Sequence, residues 1–253
     1  MESDALLTLT MDIGEEMLLS GAEIHRVEDA MSRICRAYHC KRIDVFSITS
    51  VLMATLVDQE GKAFTETRRI KKSGTDLNRL HRLNCLSRTL CSSTPDIGFA
   101  RAEFEKALKD SGRQPAYLVY LAYVIVAGSF TLFFGGTLLE AAFSSLIAIV
   151  LCAGVRLTER VTFNPILAKI FFTFLFSVLA ILVSRLIFPV SPDQIIIGNI
   201  MLVIPGVGLT NSIRDLFSGD LISGLLRLSE SLIMAIAIAA GYVLAGLLMG
   251  GVA

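Results

Sequence analysis

From Ala116 to Phe134 the chain runs for 19 residues without a charged side chain. As a helix rising 1.5 Å per residue, that stretch nearly matches the ~30 Å of hydrocarbon in a bilayer. Four further apolar stretches follow, Thr137 to Leu157, Ile166 to Phe188, Ile195 to Thr210 and Leu228 to Gly250. Gly135-Gly136, the Asn164-Pro165 break, Pro189 with Pro192, and a polar segment separate them, and Pro205-Gly206 interrupts the fourth. The residues before this region are of another kind: 1–113 carry 17 of the 23 Lys and Arg and 17 of the 23 Asp and Glu. The sequence therefore predicts a membrane all-α bundle of about five transmembrane helices over 114–253, with helices near 116–134, 137–157, 166–188, 195–210 and 228–250. A soluble α+β cytoplasmic domain with a small antiparallel sheet precedes it over 1–113.

Within that first domain, Leu6, Leu9, Ile13, Met17 and Ser20 recur at helical spacing, and after Gly21 the stripe returns as Ile24, Val27, Met31, Ile34 and Tyr38. The period then changes. Residues 43–49 and 50–57 are rich in β-branched and apolar side chains, Asp58-Gln59-Glu60-Gly61 supplies turn chemistry, and 63–70 alternates, which predicts two or three antiparallel strands. Helical spacing resumes at Leu77, and Thr94-Pro95-Asp96 reads as a cap with proline at the first helical position, opening a helix to about Asp110.

Formal net charge is zero, with neither a basic field for nucleic acid nor an acidic tail. The five cysteines lack a CxxC pair, and the acidic N-terminus is unlike a signal peptide, so reduced thiols in a cytosolic setting are expected. The turns near 135 and 190 hold no Lys or Arg, whereas Arg156, Arg160, Lys169, Arg214 and Arg227 lie in the other two connections. The positive-inside rule then places the N-terminus inside and the C-terminus outside the cytoplasmic membrane. No Walker A motif, GxGxxG turn or GxSxG elbow is present, which argues against primary pumping driven by ATP.

Polar groups beside membrane helices carry the functional signal. Around Pro205 and Gly206 a broken helix frees backbone groups that can line a substrate path, and Asn211, Arg214, Asp215, Asp220, Arg227 and Glu230 follow at once. A competing reading makes them a solvated loop whose charges pair with one another. Asn199 lies inside a crossing as a path residue or an interhelical hydrogen bond, and Glu140, near a helix start, reads as snorkelling to the interface. In the first domain, after Glu23, the residues His25, Arg26, Glu28 and Asp29 fall within about one turn, a cluster that acid-base chemistry could use, but His25–Asp29 and Asp29–Arg33 have the spacing of ordinary helix pairs on a solvated face. Cys35 with His39, and His81 with Cys85, share the (i, i+4) spacing of metal ligands, yet nothing forces the pairs together; no metal site, cofactor or catalytic residue is assigned.

Two stretches resemble the threonine/serine exporter (ThrE-like) family: residues 20–38, SGAEIHRVEDAMSRICRAY, and residues 204–241 with Pro205-Gly206, Asn211, Arg214-Asp215, Gly219-Asp220, Gly224 and Arg227. The resemblance covers nearly the whole chain and implies a cytoplasmic domain followed by five helices. It places Gly21, Glu23, Arg26 and Glu28 in an N-terminal motif, with His25 standing where other residues are expected in relatives. Because the sequence ends just after the fifth crossing, it resembles the split form of the family, in which a second, YjjB-like membrane subunit is needed. What the resemblance implies is export of a small polar metabolite, threonine and serine or a dicarboxylate such as succinate, with the lipid bilayer as surroundings, self-association of the chain left open and no nucleic-acid partner. The alternative is a membrane-anchored enzyme or sensor acting through its cytoplasmic domain, for which a hydrolase-like activity is the enzymatic option.

Overall fold

The computed structural model describes residues 2–71, 74–109, 114–158 and 164–250. In order these form α1 (Glu2–Leu19), α2 (Ile24–Ala37), β1 (Arg42–Ile48), β2 (Val51–Val57), β3 (Ala63–Arg69), α3 (Leu77–Ser93), α4 (Ile97–Lys109), α5 (Ala116–Phe133), α6 (Leu138–Thr158), α7 (Pro165–Leu186), α8 (Pro192–Val203), α9 (Gly206–Phe217) and α10 (Leu221–Leu248). They fall into two compact units, one of residues 1–112 with 207–229 and one of 113–206 with 230–253.

In the first unit the strands pair antiparallel in the order β1-β2-β3. Ile48 faces Val51 across the first turn and Val57 faces Ala63 across the second. Gly61, at φ 86°, takes the left-handed position of that second turn, and Asp58 accepts from the Lys62 amide at 2.8 Å. Leu52, Ala54 and Leu56 of the central strand turn one face into the core, as a period of two requires. The expected one-sided stripe of α1 is incomplete: Leu7, Met11 and Leu18 are buried beside Leu6, Leu9, Ile13 and Met17. The reason is its position, since α2, α3, α4 and the strands β2 and β3 all pack around it. Gly14 permits that closeness, because a Cβ there would lie 2.4 Å from the Met31 sulfur. The predicted cap at Thr94 also shifts. Thr94 adopts φ 39° as the left-handed end of α3, and Asp96 caps α4 through the Gly98 amide at 2.9 Å, leaving Pro95 outside the helix.

The second unit is helical and apolar. α5, α6 and α7 are each long and apolar enough to cross a membrane, as is the 28-residue α10. α8, with 12 residues, spans only about 18 Å as a helix, too little for the hydrocarbon. Together with α9 it passes the same length and composition test, but the pair is bent by 57°, so among the described residues four helices are long and apolar enough to cross, or five spans if the bent pair counts as one. The single segment expected at 195–210 is thus two helices. Pro205 has no amide hydrogen and crowds the residue before it, and Ile204 accordingly leaves the helix at ψ 133°. The last helix begins at Leu221 rather than 228, because Gly219 reverses the chain at φ 93° and Asp220 accepts the first helical bond from Gly224. Glu159 and Arg160, expected in a basic connection, lie outside the described residues.

Glu140 does not snorkel. It is 5% exposed, with one carboxylate oxygen accepting from the Thr137 amide at 2.6 Å and hydroxyl at 3.0 Å, and the other from the Ser191 amide at 2.6 Å. Thr137-Leu138-Leu139-Glu140 is a capping box at the start of α6, and its free oxygen caps the start of α8 as well. Close packing of these helices rests on a small residue: at Gly198 a Cβ would sit 2.1 Å from the Thr131 hydroxyl of α5.

Candidate functional site

Within the first unit, the two polar stretches fold onto one another although about 190 residues separate them. Gly21 turns the chain out of α1 at φ 87°, where an added Cβ would meet the Gly74 carbonyl oxygen at 2.7 Å. The turn leaves the Gly21 and Ala22 carbonyls and the first amides of α2 without intrahelical partners. Glu23 occupies the N-cap position of α2, but its side chain makes no capping bond. The cap comes from α9 instead: Asp215 accepts from the Ile24 amide at 3.4 Å, a carboxylate set against the positive end of the helix.

Asp215 is 1% exposed and is answered by Arg227, itself 13% exposed, at 3.3 Å. Arg227 also donates to the Ala22 carbonyl at 2.8 Å, and Asn211 donates to the Gly21 carbonyl at 3.1 Å. Arg214 pairs with Glu23, which lies 3.9 Å from Arg26 as well. The close approach of α10 to α9 makes this reach geometrically available, since at Gly224 a Cβ would press within 2.6 Å of Leu216. At this end of α2 the Gly21 and Ala22 carbonyls and the Ile24 amide contribute main-chain atoms, and Glu23 and Arg26 contribute side chains.

Glu28 stands one turn further along α2 and accepts from the Ser47 amide at 2.7 Å and hydroxyl at 3.0 Å. Burial pushes its carboxyl above the ordinary carboxylate range, and the nearby charge of Asp220 adds to this, while the Ser47 bonds and His25 act the other way. His25 therefore has Glu28 as its electrostatic neighbour, and Asp29 pairs with Arg33 at 2.9 Å.

The fold thus gathers Glu23, His25, Arg26, Glu28, Asn211, Arg214, Asp215, Asp220 and Arg227 in one unit. Asn199 belongs to the other unit, fully buried, and ties α8 to α6 by donating to the Ser144 hydroxyl at 2.9 Å and, within its own helix, to the Ile195 carbonyl at 3.0 Å. Ile204 and Pro205 form the break itself, Gly206 opens α9, and Glu230 is exposed on α10. Lys169, expected only as part of a basic connection, donates to the Val203 carbonyl at 2.5 Å, so an ammonium meets the carbonyl end of the shortened α8. A lone lysine four residues past Pro165 in an otherwise apolar run was the available signal. Among the described residues no group of three or more His, Cys, Asp and Glu gathers as a metal site. Cys35 and His39 do not share a helical face, because α2 ends at Ala37 and His39 turns left-handed at φ 60°. His81 and Cys85 do meet, at 3.6 Å, and offer two donors.

A family model described as "Putative threonine/serine exporter" (ThrE) matches residues 8–249. The chain belongs to the threonine/serine exporter family. A curated relative, the "Probable threonine/serine exporter" of Mycobacterium tuberculosis (strain ATCC 25618 / H37Rv), is 22% identical over 237 residues, covering 93% of this chain and 45% of the relative. The chain accordingly spans a little under half the length of that exporter. No solved structure matches. The membership accords with the apolar helices of a multi-pass membrane protein.

Proposed function

We propose that this chain is a subunit of a secondary-type exporter that carries a small polar metabolite, threonine or serine or a dicarboxylate such as succinate, out across the cytoplasmic membrane together with a second membrane subunit. In this reading residues 1–113 stand in the cytoplasm and the C-terminus outside. The observation that carries it is the bonded cluster in which the N-terminal motif holds the segment following the broken helix, Glu23 to Arg214 and Ala22 to Arg227. Of the two arginines, Arg227 is committed to a buried carboxylate and a carbonyl, whereas Arg214 is 56% exposed and bound only to Glu23 among the described residues. A substrate carboxylate competes with Glu23 for the Arg214 guanidinium, exchanging one charge-assisted pair for another. Asn199, Pro205, Gly206, Asn211, Asp215, Asp220 and Glu230 belong to the same path, the break supplying backbone groups free of a helix.

Arg214→Ala should abolish serine and threonine efflux from loaded cells while the protein still inserts into the membrane. Unchanged efflux removes Arg214 from the path. Vesicles containing the chain with its partner, assayed across serine, threonine and dicarboxylates, choose among the substrates.

A further inference from the structure

The far end of α2 holds two cysteines in an arrangement that its sequence spacing conceals. The helix closes with the Cys40 amide donating to the Cys35 carbonyl at 3.1 Å and the His39 amide to the Arg36 carbonyl at 3.0 Å, with His39 left-handed at φ 60°. This is the Schellman pairing, six-to-one and five-to-two, and it characteristically brings the side chains at its two outer positions into contact. Here both are cysteines. Cys35 is buried in the core of the first unit and its sulfur lies 3.8 Å from the Thr10 hydroxyl of α1. Cys40 packs against the same core from a half-exposed position and lines a cleft of about 420 Å³ with Tyr38, His39, Asp58, Gln59 and Glu60.

Both thiols are free. Their nearness at this helix end pulls the Cys40 thiol below its ordinary value and, with burial, pushes the Cys35 thiol up. The more acidic sulfur is thus the one that the cleft opens to, and a thiolate is the form that reacts with oxidants.

We propose that Cys35 and Cys40 form a reversible disulfide under hydrogen peroxide, with Cys40 as the sulfur that meets the oxidant and Cys35 as the one that resolves it. The Cys40 thiolate attacks one peroxide oxygen and becomes a sulfenic acid, and the other oxygen leaves as hydroxide and takes a proton to give water. The Cys35 sulfur then displaces the second hydroxide, which leaves as water with the Cys35 proton. In sum two thiols and one peroxide give one disulfide and two waters, the sulfurs losing two electrons and the peroxide gaining them.

The test uses the full chain in detergent or lipid and does not depend on transport. After peroxide, alkylation of residual thiols and non-reducing digestion with trypsin, the peptides Ile34–Arg36 and Ala37–Lys41 should appear joined, and dithiothreitol should separate them. Cys40→Ser should lose the joined species, and Cys91→Ser, which removes the third thiol near Cys35, should keep it. Circular dichroism of each variant establishes that it is folded. Two separately alkylated peptides after peroxide, Cys40 oxidised without linkage, or linkage of Cys35 or Cys40 to the peptide containing Cys91 would each overturn the proposal.

Discussion

Replacing Arg227 with Met removes the cation from a carboxylate that has almost no water to turn to. Asp215 is 1% exposed and Arg227 13%, with 3.3 Å between them. Removing one member of a fully buried pair costs about 3–5 kcal/mol, chiefly because the other charge is stranded. The residual exposure of Arg227 screens part of this, and the lost bond to the Ala22 carbonyl adds to it, so about 2–4 kcal/mol is expected. The effect should be local, since Asp215 holds the first amide of α2. Hydrogen exchange at Ile24 should accelerate roughly 30- to 700-fold, at about 1.4 kcal/mol per tenfold. Asp215→Asn keeps an oxygen for the Ile24 amide and should cost less. The double variant should cost less than the sum of the two single ones, since the stranded charge has gone. Unaltered exchange in Arg227→Met, or strict additivity in the cycle, would refute the view that this pair caps α2.

The other predictions concern single carboxylates. Glu140→Gln has one acceptor oxygen for helix starts that the carboxylate serves with two, so either Ser191 or Thr137 is left with an unpaired amide; thermal unfolding in detergent should report a loss of about 1–3 kcal/mol. Glu28 is held above its ordinary 4.5 when folded, so the stability it contributes is complete below that value and is lost as pH rises through the raised one. Glu28→Gln should therefore raise the melting temperature at neutral pH and flatten the profile above pH 4.5, and a profile parallel to the wild type would contradict the burial argument.

Local patterns in the sequence announce most of the elements. The β-branched runs at 43–57 and the turn at Asp58–Gly61 make the hairpin legible, and Pro205 marks the break to within a residue. What the patterns miss is set by distance. The spacing in α1 puts its stripe on one face, but Leu7, Met11 and Leu18 sit off it, and only the tertiary surroundings explain their burial. Charges from Arg214 to Arg227 look like a solvated segment when read by spacing; their partners Gly21 to Ile24 lie near the other end of the chain. The capping box at Thr137–Glu140 was present in plain sequence, whereas its second use at Ser191 had no local sign.

That second use bears on how the apolar unit can move. The turn before α6 and the turn before α8 are pinned by a single side chain, and Asn199 ties α8 to Ser144 of α6 further along. At its far end the Lys169 ammonium of α7 holds the Val203 carbonyl. A rod held at its start, middle and end cannot swing by itself. Displacing α8 therefore means carrying its neighbours with it, and Glu140 is the first of three rivets.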